Sequence, residues 1–509
     1  MPKNKSISKK KNSASNKRPD VCDRSMTFHE CELAVLRQAV DENEETRSRR
    51  VISSNEIKQI LEIVENFIIS KKLVCYGGTA INNILPSYAQ FYDSELELPD
   101  YDFFSNNALE HAKELADIYY KAGYEDVEAK SGVHEGTFKV FVNYIPIADI
   151  TEIITPLFSK LQKEAIMRAG ILYAPPNYLR MAMYLELSRP EGDVSRWEKV
   201  LKRLTLLNKF YPLKSSKCSE IDFQRNMESS NKDNSDTLYE IIRNNLVDQG
   251  VVFFGAYATS IYSQYMPKNV QHRLKKVPDF DVLSIEIDRT ALILSEELKR
   301  SGFEDIQTVE IEAVGELIPR KIEVMVGKET LAYIYEPIAC HSYNTITVGK
   351  SKVNIATIDT ILTFYLSFLY VKAGEYGADR LLCMAQFLFD VQEKNRLNQK
   401  GVLNRFNMEC IGRQSTLEDM RAEKAEKFKE LKSNRNSKQF ERWFLRYVPL
   451  QLDESRVETT PSKKTENKTE NKTENKTEKK KPKAKKANKS AKARKPSNGV
   501  MSRIQKLLK

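Results

Sequence analysis

The chain of 509 residues repeats one pattern of sequence in its two halves. An apolar run that ends in glycine occurs at 71–83 (KKLVCYGGTAINN) and returns at 250–262 (GVVFFGAYATSIY). An Asp-aromatic-Asp string follows each run, at 98–105 (LPDYDFFS) and at 277–284 (VPDFDVLS). The first aspartate comes 23 residues after the glycine in one copy and 24 residues after it in the other. The matched order and spacing predict two tandem copies of one folding unit.

Each copy predicts an α/β unit that is followed by helices. In the first copy, apolar residues of the stretch 56–70 recur at helical spacing. Short β-type runs follow at 73–76, 100–105, 137–144 and 145–153. Both copies then continue into apolar helical blocks. We therefore expect an α/β (α+β) protein with two units at 26–215 and 236–450, each a mixed sheet with helices followed by a helical block.

Both ends of the chain are strongly basic. Residues 1–18 contain seven Lys/Arg and no acid, and residues 479–495 contain ten and no acid. Since the formal net charge of the whole chain is +11, the rest of the chain has a net charge of −6. The repeat TENKTENKTENKTEKK (465–480) has no apolar side chain whose burial would offset the entropy of ordering it. We expect disordered basic arms at 1–25 and 455–509. Such arms favour polyanions, nucleic acid first, or serve solubility or localisation.

Composition also bears on the compartment. No window approaches 18 consecutive apolar residues and the Lys-rich N-terminus has no apolar stretch behind it, so we expect neither a membrane span nor a secretory signal. The seven cysteines are odd in number, scattered and free of any CxxC pair. We therefore expect reduced thiols and an intracellular, reducing compartment.

The adjacent glycines Gly77 and Gly78 stand where a predicted strand turns into a predicted helix. Glycine has no Cβ, so backbone N–H groups can come close to an anion there, and the positive end of the helix faces that anion. Thr79 adds a hydroxyl donor. The turn favours a phosphate ligand.

A cluster of acids is predicted beside this turn. Asp100 and Asp102 are one residue apart on a strand, so their side chains point to the same face and would repel each other unless a cation lies between them. Hard oxygen ligands of this kind suit Mg²⁺ or Mn²⁺. Asp149 can supply a third carboxylate if its strand lies beside theirs. Three acids could hold two metals, one that activates an attacking hydroxyl and one that clamps a triphosphate leaving group.

The glycine turn and the acids, in this order, resemble the polymerase-β-type nucleotidyltransferase superfamily. The duplication and the Lys-rich tails are most similar to the poly(A) polymerases of giant DNA viruses of the mimivirus group. The resemblance covers roughly residues 50–400, and only the first copy carries the full motif. It implies template-independent addition of AMP from ATP to an RNA 3′ end with Mg²⁺ or Mn²⁺. It also implies a homodimer and a location in the virion and the host cytoplasm.

The resemblance assigns roles to single residues. It implies that the triphosphate is held by Gly77, Gly78 and Thr79, that both metals are bound by Asp100 and Asp102, and that Asp149 lies beside the 3′-hydroxyl. Superfamily members also bring basic residues from the helical domain to the triphosphate, which makes Lys199 and Arg203 candidates, with a solvated helix face as the alternative. For RNA, the candidate cations are those of QHRLKK (271–276) and of the two tails.

The second copy departs from the motif. Ala256 and Tyr257 replace the second glycine and the hydroxyl, whereas Asp279, Asp281 and Glu323 remain as candidate acids. We expect a scaffold there rather than a second working site. For the whole chain, the alternatives to an adenylyltransferase are a non-catalytic RNA-binding or processivity subunit and a uridylyl- or CCA-adding enzyme.

Overall fold

The computed structural model describes residues 21–449, apart from the gaps 24, 53, 94–97, 216–217, 219–234, 272–279, 316 and 372–376. The basic runs 1–18 and 479–495, the repeat 465–480 and the cluster 272–276 lie outside the described residues. The predictions about disordered arms and about their cations therefore stay predictions.

The helices alternate with strands along both halves of the chain. Their bounds are α1 Phe28–Ile52, α2 Asn55–Lys71, α3 Gly77–Ile84, α4 Ala108–Lys121, α5 Thr155–Glu164, α6 Pro176–Leu187, α7 Trp197–Phe210, α8 Ser235–Asp248, α9 Ala256–Tyr262, α10 Lys268–Gln271, α11 Ile287–Arg300, α12 Ile358–Val371, α13 Ala378–Lys394, α14 Leu417–Leu431 and α15 Lys438–Phe444.

The strands form two mixed sheets. Their bounds are β1 Val74–Cys75, β2 Tyr101–Ser105, β3 Val127–Ser131, β4 Thr137–Val142, β5 Ile145–Glu152, β6 Ile166–Arg168, β7 Ile171–Tyr173, β8 Val252–Phe253, β9 Phe280–Leu283, β10 Ile306–Ile311, β11 Lys321–Val326, β12 Glu329–Tyr335, β13 His341–Val348, β14 Ser351–Ala356, β15 Cys410–Ile411 and β16 Arg446–Tyr447.

The two sheets repeat one topology. The first has the order β16-β3-β4-β5-β2-β1-β7-β6, and the second has the order β10-β11-β12-β9-β8-β14-β13-β15. Seven consecutive strands correspond, from β3 through β6 in the first and from β10 through β13 in the second, and each pair of neighbours has the same relative direction. The predicted α/β class with two tandem units is confirmed. The boundaries at 215 and 236 stay predictions.

The local sequence explains the first helix of the repeated unit. Ser54 is the N-cap of α2, and its side chain accepts from the backbone N–H of Ile57 at 3.3 Å. The apolar positions of α2, Ile60, Val64 and Phe67 among them, are buried against the first sheet. The helix predicted at 56–70 is thus present, one residue longer at each end.

The helical blocks of the two units pack on each other. Helix α6 of the first unit lies against α12 of the second. The Tyr178 and Tyr370 rings meet edge to face at a centroid distance of 5.2 Å, and the backbone N–H of Ser342 donates to the carbonyl of Ser188 at 2.8 Å. The helical block of the second unit therefore packs against that of the first.

The last described segment returns to the first unit. Strand β16 pairs with β3 and adds an eighth strand to the first sheet. The hydroxyl of Ser131 donates to the carbonyl of Trp443 at 2.8 Å, and Arg442 is ion-paired with Glu152 of β5 at 2.6 Å. Residues after the second sheet thus complete the sheet that carries the predicted acids.

Six of the seven cysteines form disulfides, so the prediction of reduced thiols is wrong. The pairs are Cys22–Cys31, Cys218–Cys383 and Cys340–Cys410, and Cys75 is free and buried. Two of the bridges join positions 165 and 70 residues apart in the sequence. Such pairs become neighbours only through the tertiary fold, which explains why the spacing gave no sign of them.

In the part of the chain that the structure describes, no helix is long and apolar enough to cross a membrane.

Candidate active site

The glycine turn, residues Gly77 and Gly78, forms the start of α3, two residues after β1, and contacts the acidic strand. Gly77 has φ of +73°, a conformation that side chains rarely adopt, and a Cβ built on it would lie 2.6 Å from Oδ2 of Asp102. The backbone N–H of Tyr76 donates to the carbonyl of Asp102 at 2.9 Å. Glycine is therefore required at position 77 both by its backbone conformation and by the carboxylate beside it.

The three predicted acids lie on, or directly before, two adjacent strands. Asp102 on β2 lies directly opposite Asp149 on the parallel strand β5, and Asp100 immediately precedes β2. Tyr101, between the two aspartates, is buried, in agreement with alternating side-chain directions. Asp149 is expected to supply a third carboxylate if its strand lies beside that of Asp102. The strand β5 does lie beside β2.

Electrostatics at the acids follow from their crowding. Burial, then the charges of Asp100 and Asp149, raises the pKa of Asp102 to about 7, and the cations Lys139 and Arg196 oppose this rise. Burial, then the charge of Asp149, also raises the pKa of Asp100. Lys139 and Arg196 therefore offset only part of the negative charge of the three acids. Their oxygen atoms are the ligands that hard divalent cations prefer, so the donor set fits Mg²⁺ or Mn²⁺.

Lys139 is a member of this site that the sequence pattern did not reveal. It stands on β4 directly opposite Asp149, and its ammonium group is ion-paired with that carboxylate. In the sequence Lys139 is an ordinary outward position of an alternating strand, so only the register of β4 against β5 identifies it.

Arg203 and Lys199, the two predicted cations of α7, lie in different surroundings. Arg203 is buried, and a Cβ built on Gly78 would lie 2.9 Å from its Nη1. Lys199 is exposed. The helix therefore brings Arg203 to the glycine turn, whereas Lys199, one turn earlier, faces solvent.

Thr79 has a partner within the protein. Its hydroxyl donates to the backbone carbonyl of Asp100 at 2.8 Å, and its side chain is 5% exposed. This bond ties the first turn of α3 to the residue that begins the acidic motif. In this geometry the hydroxyl fixes the glycine turn relative to the acids.

Tyr92 is a second residue that sequence reasoning missed. Its hydroxyl would lie 2.4 Å from a Cβ on Gly78, and it accepts a hydrogen bond from Nη2 of Arg203 at 2.6 Å. It belongs to the long segment between α3 and β2, where no periodic pattern distinguishes one tyrosine from another.

The second copy keeps the fold of this site and changes its chemistry. Tyr257 stands where the first copy has Thr79. Its buried ring packs against Phe253 and Phe280, at centroid distances of 4.7 Å and 5.7 Å, and its hydroxyl accepts from Nε of Arg243 at 3.0 Å. A tyrosine that accepts a hydrogen bond from Arg243 thus replaces the small threonine of the first copy.

The acids of the second copy are arranged differently from the sequence expectation. Asp281 is buried against Gly255, but the residue opposite it on the parallel strand is Tyr333, and Glu323 lies one strand further away. Glu323 therefore corresponds to Lys139 rather than to Asp149, and its suggested place as the third acid is wrong. Asp279 lies outside the described residues.

A lysine supplies positive charge in the second copy. Lys321 is fully buried, its Nζ lies 2.9 Å from a carboxylate oxygen of Glu323, and it is 4.1 Å from the centroid of the Tyr333 ring. An ion pair and a cation–π contact thus occupy this region of the second sheet. Tyr333 takes the position that corresponds to Asp149, and Asp279 lies outside the described residues, so Asp281 is the one acid of the motif in the described part of this region. A single aspartate does not make a divalent metal site of the kind expected in the first copy.

Comparisons with known proteins agree with this geometry. Residues 62–193, which include all three acids and the glycine turn, match the family model described as poly(A) polymerase catalytic subunit. Two viral relatives are named as candidate poly(A) polymerase catalytic subunits. The protein of African swine fever virus (isolate Pig/Kenya/KEN-50/1950) is 34% identical over 171 residues, which are 32% of this chain and 36% of the relative. The protein of Acanthamoeba polyphaga mimivirus is 28% identical over 215 residues, 41% of this chain and 36% of the relative.

A solved structure matches over most of the chain. The Megavirus polyadenylate synthase is similar with a TM-score of 0.68 and 19% identity, over 82% of this chain and 86% of that one. This likeness shows the fold, including both units. The sequence matches span about a third of the length of the curated relatives. Residues 62–193 are thus similar to the poly(A) polymerase catalytic subunit family, and the chain is similar in fold to the Megavirus polyadenylate synthase.

Proposed function

We propose that the protein is a template-independent polynucleotide adenylyltransferase, a poly(A) polymerase that transfers AMP from ATP to the 3′ end of RNA. The observation that carries the proposal is the contact between the glycine turn and the Asp102 carboxylate, with Asp149 opposite. A phosphate-binding turn and a carboxylate cluster within one contact distance can hold the two ends of a phosphoryl transfer together.

The triphosphate is held by the glycine turn and Arg203. Backbone N–H groups of Gly77 and Gly78 point from the first turn of α3, where the helix dipole favours negative charge. Arg203 adds a guanidinium at the same place. Thr79 contributes by fixing the turn to Asp100. Lys199 is exposed and can meet only the outer part of a bound nucleotide or the RNA.

Asp100, Asp102 and Asp149 would hold Mg²⁺ or Mn²⁺. When bound, the metal ions lower the barrier for the attacking hydroxyl and neutralise the charge of the leaving phosphates. Three crowded carboxylates, one with a pKa raised to about 7, support this assignment because they leave negative charge that a cation compensates. Lys139 supplies part of this compensation through its ion pair with Asp149.

The reaction balances without any further reagent. The 3′-hydroxyl oxygen of RNA forms a bond to the α-phosphorus of ATP, and the bond from that phosphorus to the bridging oxygen of the β-phosphate breaks. Pyrophosphate leaves with this electron pair. Asp149, beside the 3′-hydroxyl, accepts the hydroxyl proton. The chain's own contribution is to hold both reactants in line between β2, β5 and the glycine turn.

RNA is proposed to approach over α7 and the basic tails. Lys199 and Lys202 of α7 are exposed, and the basic runs 1–18 and 479–495 carry a net +17. Contacts of this kind are to phosphates, so binding weakens as salt rises.

A homodimer is part of the proposal as well, and light scattering of the purified protein measures it.

The test is a primer-extension experiment. The purified protein is incubated with a short labelled RNA, Mg²⁺ or Mn²⁺, and each of the four nucleoside triphosphates separately. A long ladder with ATP only supports the adenylyltransferase. A ladder with UTP, or with CTP and ATP in short steps, would replace it by a uridylyl- or CCA-adding enzyme. RNA binding without extension by any nucleotide would identify a non-catalytic RNA-binding subunit.

A further inference from the structure

Tyr92 touches the part of the glycine turn that is proposed to bind the triphosphate. A Cβ added to Gly78 would lie 2.4 Å from the Tyr92 hydroxyl and 2.9 Å from Nη1 of Arg203. Real Cβ atoms are not found this close to other heavy atoms, so the absence of a side chain at position 78 is what admits both groups. The hydroxyl and the guanidinium therefore converge on one backbone position.

Tyr92 also determines the orientation of Arg203. Nη2 of the arginine donates to the Tyr92 hydroxyl at 2.6 Å, and the guanidinium carbon lies 5.1 Å from the Phe91 ring centroid and 5.5 Å from the Tyr92 ring centroid. Arg203 is 9% exposed. A long, flexible side chain that would otherwise lose entropy on binding an anion is thus already fixed against two neighbouring aromatic rings.

The segment that carries Tyr92 is anchored to the helix behind the turn. The backbone N–H groups of Phe91 and Tyr92 both donate to Oδ1 of Asn82, at 2.8 Å and 3.0 Å. Asn82 belongs to α3 and is buried. Tyr92 is therefore held by the same helix whose first turn it contacts.

We propose that Tyr92 is a positioning residue for the substrate triphosphate, which it serves by holding the Arg203 guanidinium over the glycine turn. A guanidinium is a planar fork with five N–H donors, so the bond from Nη2 to Tyr92 fixes the plane of the fork and directs Nη1 toward Gly78. The ligand class is a nucleoside triphosphate, recognised through its phosphates. The inference rests on the proposed function, because it takes the triphosphate to lie at the glycine turn.

The experiment measures binding without RNA. The dissociation constants for ATP and for inorganic triphosphate are determined for the wild-type chain and for Tyr92→Phe, which keeps the ring and loses the hydroxyl. Tyr88→Phe is the matched control, because Tyr88 lies in the same segment and is 82% exposed. We expect Tyr92→Phe to weaken both ligands by about tenfold, the effect of losing one hydrogen bond to a charged group. Tyr88→Phe should leave both constants unchanged.

Kinetics and coupling separate positioning from a general structural effect. Tyr92→Phe should raise the KM for ATP with little change in kcat, because it removes binding that the ground state and the transition state share. Arg203→Lys should weaken ATP as well, and the double variant should be no weaker than Arg203→Lys, since the two residues act as one unit. Additive effects would overturn the proposal.

Other outcomes are equally decisive. Weaker ATP with unchanged inorganic triphosphate would mean that Tyr92 contacts the base, and tighter binding by Tyr92→Phe would mean that the hydroxyl blocks the turn. Both contradict the positioning role. If the wild-type chain binds ATP but extends no RNA, the adenylyltransferase proposal fails whereas the role of Tyr92 is still decided by the binding constants. The melting temperature of Tyr92→Phe confirms that the variant is folded.

Discussion

Asp102 lies directly opposite Asp149 on the neighbouring parallel strand, and the same register in the second sheet brings Asp281 opposite Tyr333. We therefore expect Asp102→Asn to reduce nucleotide transfer to the level of the protein-free control and to abolish Mn²⁺ binding, with RNA binding largely intact. Asp281→Asn is the matched control and should leave Mn²⁺ stoichiometry and transfer unchanged. Electron paramagnetic resonance titration of free Mn²⁺ measures the stoichiometry. Loss of bound Mn²⁺ in Asp281→Asn would reveal a metal in the second unit.

The pKa of Asp102 gives the metal-free protein a defined pH dependence. With a pKa raised from 3.8 to about 7, the folded chain keeps a proton that the unfolded chain releases above pH 4. The folded state thus binds more protons between these values, and the contribution of Asp102 to the free energy of unfolding falls as the pH rises from about 4 to about 7. In EDTA, the melting temperature of the wild type should fall relative to that of Asp102→Asn as the pH rises over this range.

The apparent affinity for Mn²⁺ should rise with pH, whereas the contribution of Asp102 to the free energy of unfolding falls. Mn²⁺ must displace the proton on Asp102, so its apparent affinity should rise up to about pH 7 and level off above it. Mn²⁺ titrations at a series of pH values measure this profile. A flat profile would show that Asp102 is already ionised at low pH in the metal-free chain.

A methyl group at position 78 should obstruct the glycine turn. Gly78→Ala brings Cβ against the Tyr92 hydroxyl and the Arg203 guanidinium, and overpacking of this kind costs about 1–3 kcal/mol. We expect the affinity for ATP to fall by at least about tenfold, read from equilibrium binding. The reciprocal change in the second copy, Ala256→Gly, should not alter ATP binding. An unaffected Gly78→Ala would mean that the triphosphate lies elsewhere.

The buried cation of the second unit should matter for stability and not for catalysis. Lys321→Met leaves the Glu323 carboxylate buried without its ammonium partner, which costs about 3–5 kcal/mol for a pair of this type. Lys328→Met, at an exposed position of the β11–β12 turn, is the control and should change little. Urea unfolding measures the difference. An equally stable Lys321→Met variant would contradict the structural role of the ion pair.

The Cys218–Cys383 bridge should stabilise the whole described chain. It closes a loop of 165 residues, for which the chain-entropy argument gives about 5 kcal/mol as an upper value. The Cys218→Ser/Cys383→Ser variant should melt well below the wild type, whereas Cys22→Ser/Cys31→Ser, with a separation of nine residues, should lose less. A reductant should lower the wild-type melting temperature and leave that of Cys218→Ser/Cys383→Ser less affected.

Features set by local sequence were predictable. The glycine turn, the period-two spacing of Asp100 and Asp102, and the helical spacing of 56–70 depend on neighbours within one element, and the repeat of this order disclosed the duplication. Asp149 belongs to a β-type run, 145–153, but its place opposite Asp102 depends on which strands pair.

Features set by register or by long-range packing were not predictable. Glu323 stands on β11, which corresponds to β4, and only the pairing of β12 with β9 puts Tyr333, rather than Glu323, opposite Asp281. Tyr92 is recognised through Arg203, which is 111 residues away along the chain. The disulfide partners are likewise neighbours in space alone.

The return of β16 to the first sheet has a consequence for synthesis on the ribosome. When residue 215 has been made, Asp100, Asp102 and Asp149 all exist, but the strand that closes the β3 edge of their sheet is still more than 200 residues away in the chain. Until Arg446 and Tyr447 emerge, β3 presents an unpaired edge, and edges of this kind invite pairing with other chains. The nascent first unit therefore waits for the entire second unit to be translated, and a release that occurs before that point yields a chain with its acids in place and its sheet open.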